Sequence, residues 1–196
     1  MAHAEQKTQG DGGRFVGTTW QDLLDLETVE VPEYLRVKSN PYMGDEDLSV
    51  DRYISPEFFK EEKEKLWPKT WQMACREEDI PESGDHFVYW VIDRSVIVTR
   101  TPSGEIKGFI NSCRHRGRCL RDESGSVDKF RCPFHGATWD LDGQFKGIPN
   151  DWDFEHIADR DMSLPQVKVA TWGGFVFINF DLECQPLEDY LDVLPQ

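Results

Sequence analysis

A mainly β fold, an antiparallel β-sandwich preceded by short helices, is what this sequence predicts, and three observations carry the prediction. From Trp71 onwards the apolar residues fall in short runs rich in β-branched and aromatic side chains, broken by turn residues about every eight to twelve positions. Helix signals are confined to the stretch before Trp67-Pro68. The chain of 196 residues also has the material for a core: it is 38% hydrophobic, with seven Trp and twelve Phe, a composition outside the disordered range.

In chain order, residues 1 to about 18 are polar and aperiodic and read as a tail, His3 included. Thr19 followed by Trp20, Asp22, Leu23, Leu24 and Leu26 predicts a capped short helix, with Asp22 favouring the positive end of its dipole. From Val31 to Val50, prolines, Gly44 and Asp45-Glu46-Asp47 predict an extended arm. Ser55-Pro56-Glu57 starts a packing helix running to about Leu66, with an apolar stripe of Phe58, Phe59 and Leu66; Pro68 ends it. His86–Ile92 and Ser95–Arg100 predict a hairpin around Asp93-Arg94, and Pro102–Glu105 turns the chain into a strand from Ile106 to Asn111. Ala137–Leu141 and Gln144–Lys146 form a second hairpin on Asp142-Gly143, a preferred type I′ pair. Trp172–Phe180 is a last strand whose almost continuous apolar run suits cover on both faces.

Charge and cysteine usage narrow the function. Thirty-seven acidic against twenty-two basic residues give a net charge of −15, which opposes phosphate contacts and anionic membrane surfaces, so neither nucleic acid nor membrane is an expected partner. No apolar run is long enough to span a bilayer, and the N-terminus lacks a signal-peptide pattern; a cytoplasmic protein is expected. Its five Cys are then thiols or metal ligands rather than disulfides, with Cys75, Cys119 and Cys184 read as small buried hydrophobes.

Two Cys–His pairs dominate the sequence: Cys113-x-His115, then sixteen residues, then Cys132-x-x-His135. One thiolate and one imidazole from each of two loops suit a [2Fe–2S] cluster of the Rieske type, Cys113 and Cys132 on one iron and His115 and His135 on the other. Gly117 and Gly136, each just past a His, are expected to bring backbone N–H groups close to the cluster sulfurs. Zinc accepts the same donors, but finger sites group Cys with Cys and His with His; a Cys113–Cys132 disulfide is the weakest alternative.

These residues, in Asn111-Ser112-Cys113-Arg114-His115-Arg116-Gly117, Cys132-Pro133-Phe134-His135-Gly136 and Trp139-Asp140-Leu141-Asp142-Gly143, resemble the α subunits of Rieske non-haem-iron oxygenases, the aromatic-ring-hydroxylating enzymes and their relatives. The resemblance covers roughly residues 50 to 190 and includes Leu66-Trp67-Pro68, Trp71-Gln72 and Gly84-Asp85. It implies a Rieske-type sandwich with cluster-binding loops. The chain then divides into an acidic tail and arm (1–50), a lead-in helix (51–69), the Rieske [2Fe–2S] domain (70–185) and a linker towards an absent catalytic domain (186–196). Respiratory-chain Rieske proteins fit less well, since they carry a disulfide-forming Cys where Phe134 stands. Family members often have Tyr at the position of Phe134 and Trp at that of Ala137. Loss of the phenolic hydroxyl is expected to lower the potential, with Trp139 supplying aromatic cover.

The family's mononuclear Fe(II) needs a 2-His-1-carboxylate triad. Only His3, His86 and His156 are left for one, with no second His close to His156 in sequence, so that iron is expected only in the catalytic domain. The resemblance implies electron transfer as part of an oxygenase acting on aromatic or similar hydrophobic substrates. It also implies a reductase or ferredoxin donor and a trimer-based homo-oligomer. A free-standing Rieske ferredoxin is the alternative, against which the long N-terminal arm and the Ser55 helix weigh.

Overall fold

Residues 20–36, 47–157 and 159–194 are described by the computed structural model of the chain, and they fall into two compact units, divided after Val50. In the first, α1 (Trp20–Leu24) is followed by a single 3-10 turn at Glu33–Arg36. Trp20 Nε1 donates to the Leu35 carbonyl at 3.2 Å and Arg36 pairs with Asp25 at 2.6 Å. The start of the expected extended arm is therefore folded back, because a buried-free but hydrogen-bonded turn satisfies its backbone better than extension does. The tail, the Thr19 cap and residues 37–46 of the arm lie outside the described residues.

The second unit opens with α2 (Asp51–Ile54) and α3 (Pro56–Lys65). Ser55 caps α3 as its sequence predicts: the hydroxyl accepts from the Phe58 N–H at 3.2 Å, and Pro56 sits where a missing N–H costs nothing. The packing reading of α3 needs correction. None of its residues is buried, and Phe58, Phe59 and Leu66 stay exposed, so the stripe finds no cover among the described residues; an ion pair between Lys63 and Asp93 ties the helix to the sheet. A helix held this lightly should fray locally. Ser55→Ala is expected to cost about 1 kcal/mol, seen as faster amide exchange in residues 56–60 with little change in global unfolding.

Ten strands follow: β1 (Gln72–Arg76), β2 (Asp85–Val91), β3 (Arg94–Arg100), β4 (Ile106–Ile110), β5 (Gly125–Ser126), β6 (Phe130–Arg131), β7 (Thr138–Trp139), β8 (Phe145–Gly147), β9 (Gln166–Trp172) and β10 (Phe175–Asn179). A seven-stranded antiparallel sheet has the order β1-β10-β9-β4-β3-β2-β5, and a three-stranded sheet the order β6-β7-β8. The mainly β expectation holds, with a short α4 (Leu187–Leu191) after the last strand. Three turns differ from expectation. Val91 pairs with Arg94, so the first hairpin turns on Ile92-Asp93, with Ile92 at φ 55°. At the second hairpin only Gly143 has positive φ, and the Gly143 N–H bonds the Asp140 carbonyl while the Asp140 N–H bonds the Gln144 carbonyl. That is a type I turn ending in a left-handed glycine rather than a type I′ pair. The type I′ signature lies instead at Gly173-Gly174, both at positive φ, where Trp172 pairs with Phe175. Trp172 thus ends β9 instead of beginning the last strand, which is β10 alone, and β9 itself was not expected.

Two cores share β3. Val96 and Val98 point into a cluster with Ala74, Ile80, Val176 and Ile178, while Ile97 points the other way, into a cluster with Phe109, Leu120, Trp139, Cys113 and Cys132. The strand covered on both faces is therefore β3; in β10 only Val176, Ile178 and Asn179 are buried. The alternation of β3 side chains joins the large sheet to the two Cys–His loops, one leaving β4 and the other connecting β6 to β7.

Candidate metal centre

Each loop is a tight turn that presents its Cys inward and its His outward. In the first, the Gly117 N–H bonds the Cys113 carbonyl and the Cys113 N–H bonds the Arg118 carbonyl, both at 2.8 Å; in the second, Gly136 bonds Cys132 at 3.0 Å and Cys132 bonds Ala137 at 2.8 Å. The positive φ of Gly117 (73°) and Gly136 (76°) is what closes these turns. Their N–H groups bond the Cys carbonyls, where the sequence reading directs them at the cluster sulfurs. The backbones of His115 and Arg116 instead favour the thiolate form of Cys113.

The four donors arrive as two pairs. Cys113 and Cys132 are buried in one core, and burial is the main influence pushing the Cys113 thiol up, with the Cys132 thiol acting the same way. His115 and His135 are half-buried with ring centroids 4.8 Å apart. Burial, then the neighbouring His135, holds the pKa of His115 down, so its lone pairs are available at neutral pH. Its Nδ1 is buried and has no hydrogen-bond partner among the described residues. Among the described residues no three His, Cys, Asp or Glu side chains converge on one point, as a single tetrahedral ion would need. Paired thiols, paired imidazoles and an orphaned ring nitrogen fit a two-iron cluster that spans both pairs.

Aromatic residues frame the histidines. Phe154 meets His115 edge-on at 5.3 Å and lies 5.7 Å from His135, while Phe134, 60% exposed, stacks on His135 at 3.9 Å. His156 lies 5.5 Å from His115, so this histidine does have a second one beside it, brought there by folding. Trp139 is fully buried and donates Nε1–H to the Met162 carbonyl at 2.6 Å. Among the other thiols only Cys75 is buried, its pKa pushed up to about 12 by burial; Cys119, which donates to the Arg121 carbonyl, and Cys184 are half-exposed, so the hydrophobe reading holds for one of the three.

His86 is structural. It is 2% exposed, accepts from Arg121 Nε at 3.1 Å on Nε2 and approaches the Gly84 carbonyl through Nδ1. A guanidinium only donates, so the ring proton belongs on Nδ1. Burial lowers its pKa from 6.5, with the Arg121 charge acting the same way. The unfolded chain then binds the proton more readily than the folded one. This contribution to stability is complete above about pH 6.5 and is lost as pH falls through the lower folded value. His86→Gln is expected to flatten the loss of stability between about pH 7 and 5 measured by urea unfolding.

Residues 70–159 match the family profile described as the Rieske [2Fe-2S] domain. The chain carries a Rieske domain. Biphenyl 2,3-dioxygenase subunit alpha of Rhodococcus jostii (strain RHA1) is 31% identical over 141 residues, 71% of this chain and 31% of that one. The anthranilate 1,2-dioxygenase large subunit of Acinetobacter baylyi is 32% identical over 147 residues, 74% of this chain and 31% of that one. Among solved structures, a quaternary ammonium Rieske monooxygenase, described with carnitine oxidation and inter-subunit electron transfer, superposes with a TM-score of 0.69 at 29% identity, over 74% of this chain and 40% of that one. The chain spans about a third of the length of the curated relatives it matches. These relatives favour an oxygenase subunit over a free-standing ferredoxin as the context of this Rieske domain. No helix among the described residues is long and apolar enough to cross a membrane.

Proposed function

We propose that Cys113 and Cys132 hold one iron and His115 and His135 the other iron of a [2Fe–2S] cluster, and that the chain relays single electrons within an oxygenase acting on aromatic or similar hydrophobic substrates. The observation that carries this reading is the orphaned Nδ1 of His115 beside two buried thiols. A buried polar atom without a partner costs about 1–3 kcal/mol, and iron ligation would satisfy this one.

When bound, the cluster supplies a one-electron carrier at about −150 to +300 mV, against about −400 mV for an all-thiolate plant-type ferredoxin. The chain's own residues supply the rest. Trp139, Leu120 and Phe130 keep water from the thiol side. The backbones of His115 and Arg116 favour the thiolate form of Cys113. Phe154 and Phe134 hold the two imidazoles between them while leaving His115 and His135 half-exposed, which suits approach of a redox partner.

Likeness to dioxygenase and monooxygenase subunits supports the wider setting: a reductase or ferredoxin donor, a trimer-based homo-oligomer, a mononuclear Fe(II) held by a catalytic domain, and residues 70–185 as the electron-transfer domain. The free thiols suit the reducing cytoplasm. The test is anaerobic reconstitution with ferrous iron and sulfide. Equal iron and acid-labile sulfide, with visible absorption that bleaches reversibly on reduction, is the expected result; zinc without sulfide contradicts the proposal.

A further inference from the structure

The two ligand loops are closed by different means. Around the second, β6 and β7 pair directly, Phe130 with Trp139 and Arg131 with Thr138, so a backbone ladder shuts the loop. The first loop leaves β4 and has no such partner strand on its return, β5 beginning only at Gly125. A side chain does the work there. Asn111 is 5% exposed, and its Oδ1 accepts from the N–H groups of Leu120 and Arg121, both at 3.0 Å. Its Nδ2 donates to the Arg121 carbonyl at 2.6 Å and to Ser95 Oγ at 3.0 Å, while its own N–H bonds the Ser95 carbonyl at 2.9 Å. Two donors and two lone pairs are the full capacity of an amide, and all are used.

We infer that Asn111 is the positioning residue of the first ligand loop, standing in for a strand pair and presetting Cys113 and His115 for the cluster. The inference rests on the ligand assignment above. Ser95 anchors Asn111 to β3; Asn111 draws in Leu120, which packs in the same core as Cys113 and Cys132. Without the amide, the return segment 118–121 loses its only side-chain tether to β4 among the bonds just given, and half of the donor set loses its preset position. The sheets keep their own ladders.

A matched control separates this from plain loss of stability. Asn179 is fully buried at the end of β10, two strands from β4, and also makes side-chain hydrogen bonds, to Lys69 and Asp181. In the 196-residue chain, Asn111→Leu is expected to retain iron at least about tenfold more weakly against a chelator, the size typical of a lost supporting bond, with a broadened electron paramagnetic resonance signal from the reduced cluster. Asn179→Leu should unfold as easily yet keep native iron retention and signal. Asn111→Asp, which keeps the Oδ1 acceptor but sets a second oxygen against the Arg121 carbonyl, should recover only part of the retention. If Asn111→Leu does not fold, Ser95→Ala, which removes one of the four bonds, is expected to shift retention in the same direction. Native retention and signal in Asn111→Leu, or equal iron loss in Asn179→Leu, overturns the inference. A native chain that takes up no cluster overturns the ligand assignment instead, and this inference with it.

Discussion

Cys132→Ser is expected to give a folded chain that no longer keeps iron. Cys132 is buried, lies next to Cys113 and begins the turn closed by Gly136. A serine hydroxyl is nearly the same size, so packing changes little, and burying it costs on the order of 1–3 kcal/mol. The ligand chemistry changes far more, because the hydroxyl does not ionise in the range where a thiol becomes a soft anionic donor to iron. Loss of one of four ligands from a paired site leaves one iron with a single protein donor. The measurement is iron and acid-labile sulfide per chain after reconstitution, beside a thermal melt. Native iron content with unchanged absorption in Cys132→Ser would place the cluster elsewhere.

The largest effect on stability is expected from Trp139→Ala. Trp139 is fully buried, packs against Phe145 at a centroid distance of 5.6 Å and shares a core with both Cys. Truncation leaves a cavity and strips the Met162 carbonyl of its indole donor. Such losses cost about 3–5 kcal/mol, against a total of about 5–15 kcal/mol for a domain. For a chain of this size the expected fall in melting temperature is about 6–20 °C. Because the cavity opens behind the thiols, cluster loss should accompany the first stage of unfolding. A fall under about 1 kcal/mol by urea titration would mean that the site collapses around the gap or that Trp139 is not the centre of this core.

What the sequence disclosed was local. Ser55-Pro56 capped a helix where expected, and the β-branched runs of β2 and β3 paired as a hairpin, because capping and period-2 patterning act within a few residues. The Cys–His spacing needed no tertiary information. What it concealed depends on chain that is distant or on small energy differences. Gly173-Gly174 hid between apolar runs, so Trp172 read as the start of the last strand when it ends β9, a strand the sequence did not announce. Asp142-Gly143 matched a type I′ pair, yet a three-residue turn left only the glycine left-handed. The N–H groups of Gly117 and Gly136 were expected at sulfur and went to the Cys carbonyls, a choice set by turn geometry. His156 reached His115 only through folding of the segment after β8, and nothing in its own neighbourhood signals that. Asn111 stood in the recognisable motif without a visible role, since its partners, Ser95 and residues 120–121, lie on two separate segments.

Pulsed electron paramagnetic resonance of the reduced chain, grown with 15N-labelled histidine, tests the central claim most directly. Imidazole nitrogens ligating an iron of the reduced, paramagnetic cluster would couple to its unpaired spin, and His115 and His135 would supply them. The account predicts coupling to two distinct 15N nuclei, one of which disappears in His115→Cys and the other in His135→Cys. A reduced cluster without histidine nitrogen coupling, or coupling that survives both substitutions, would contradict it.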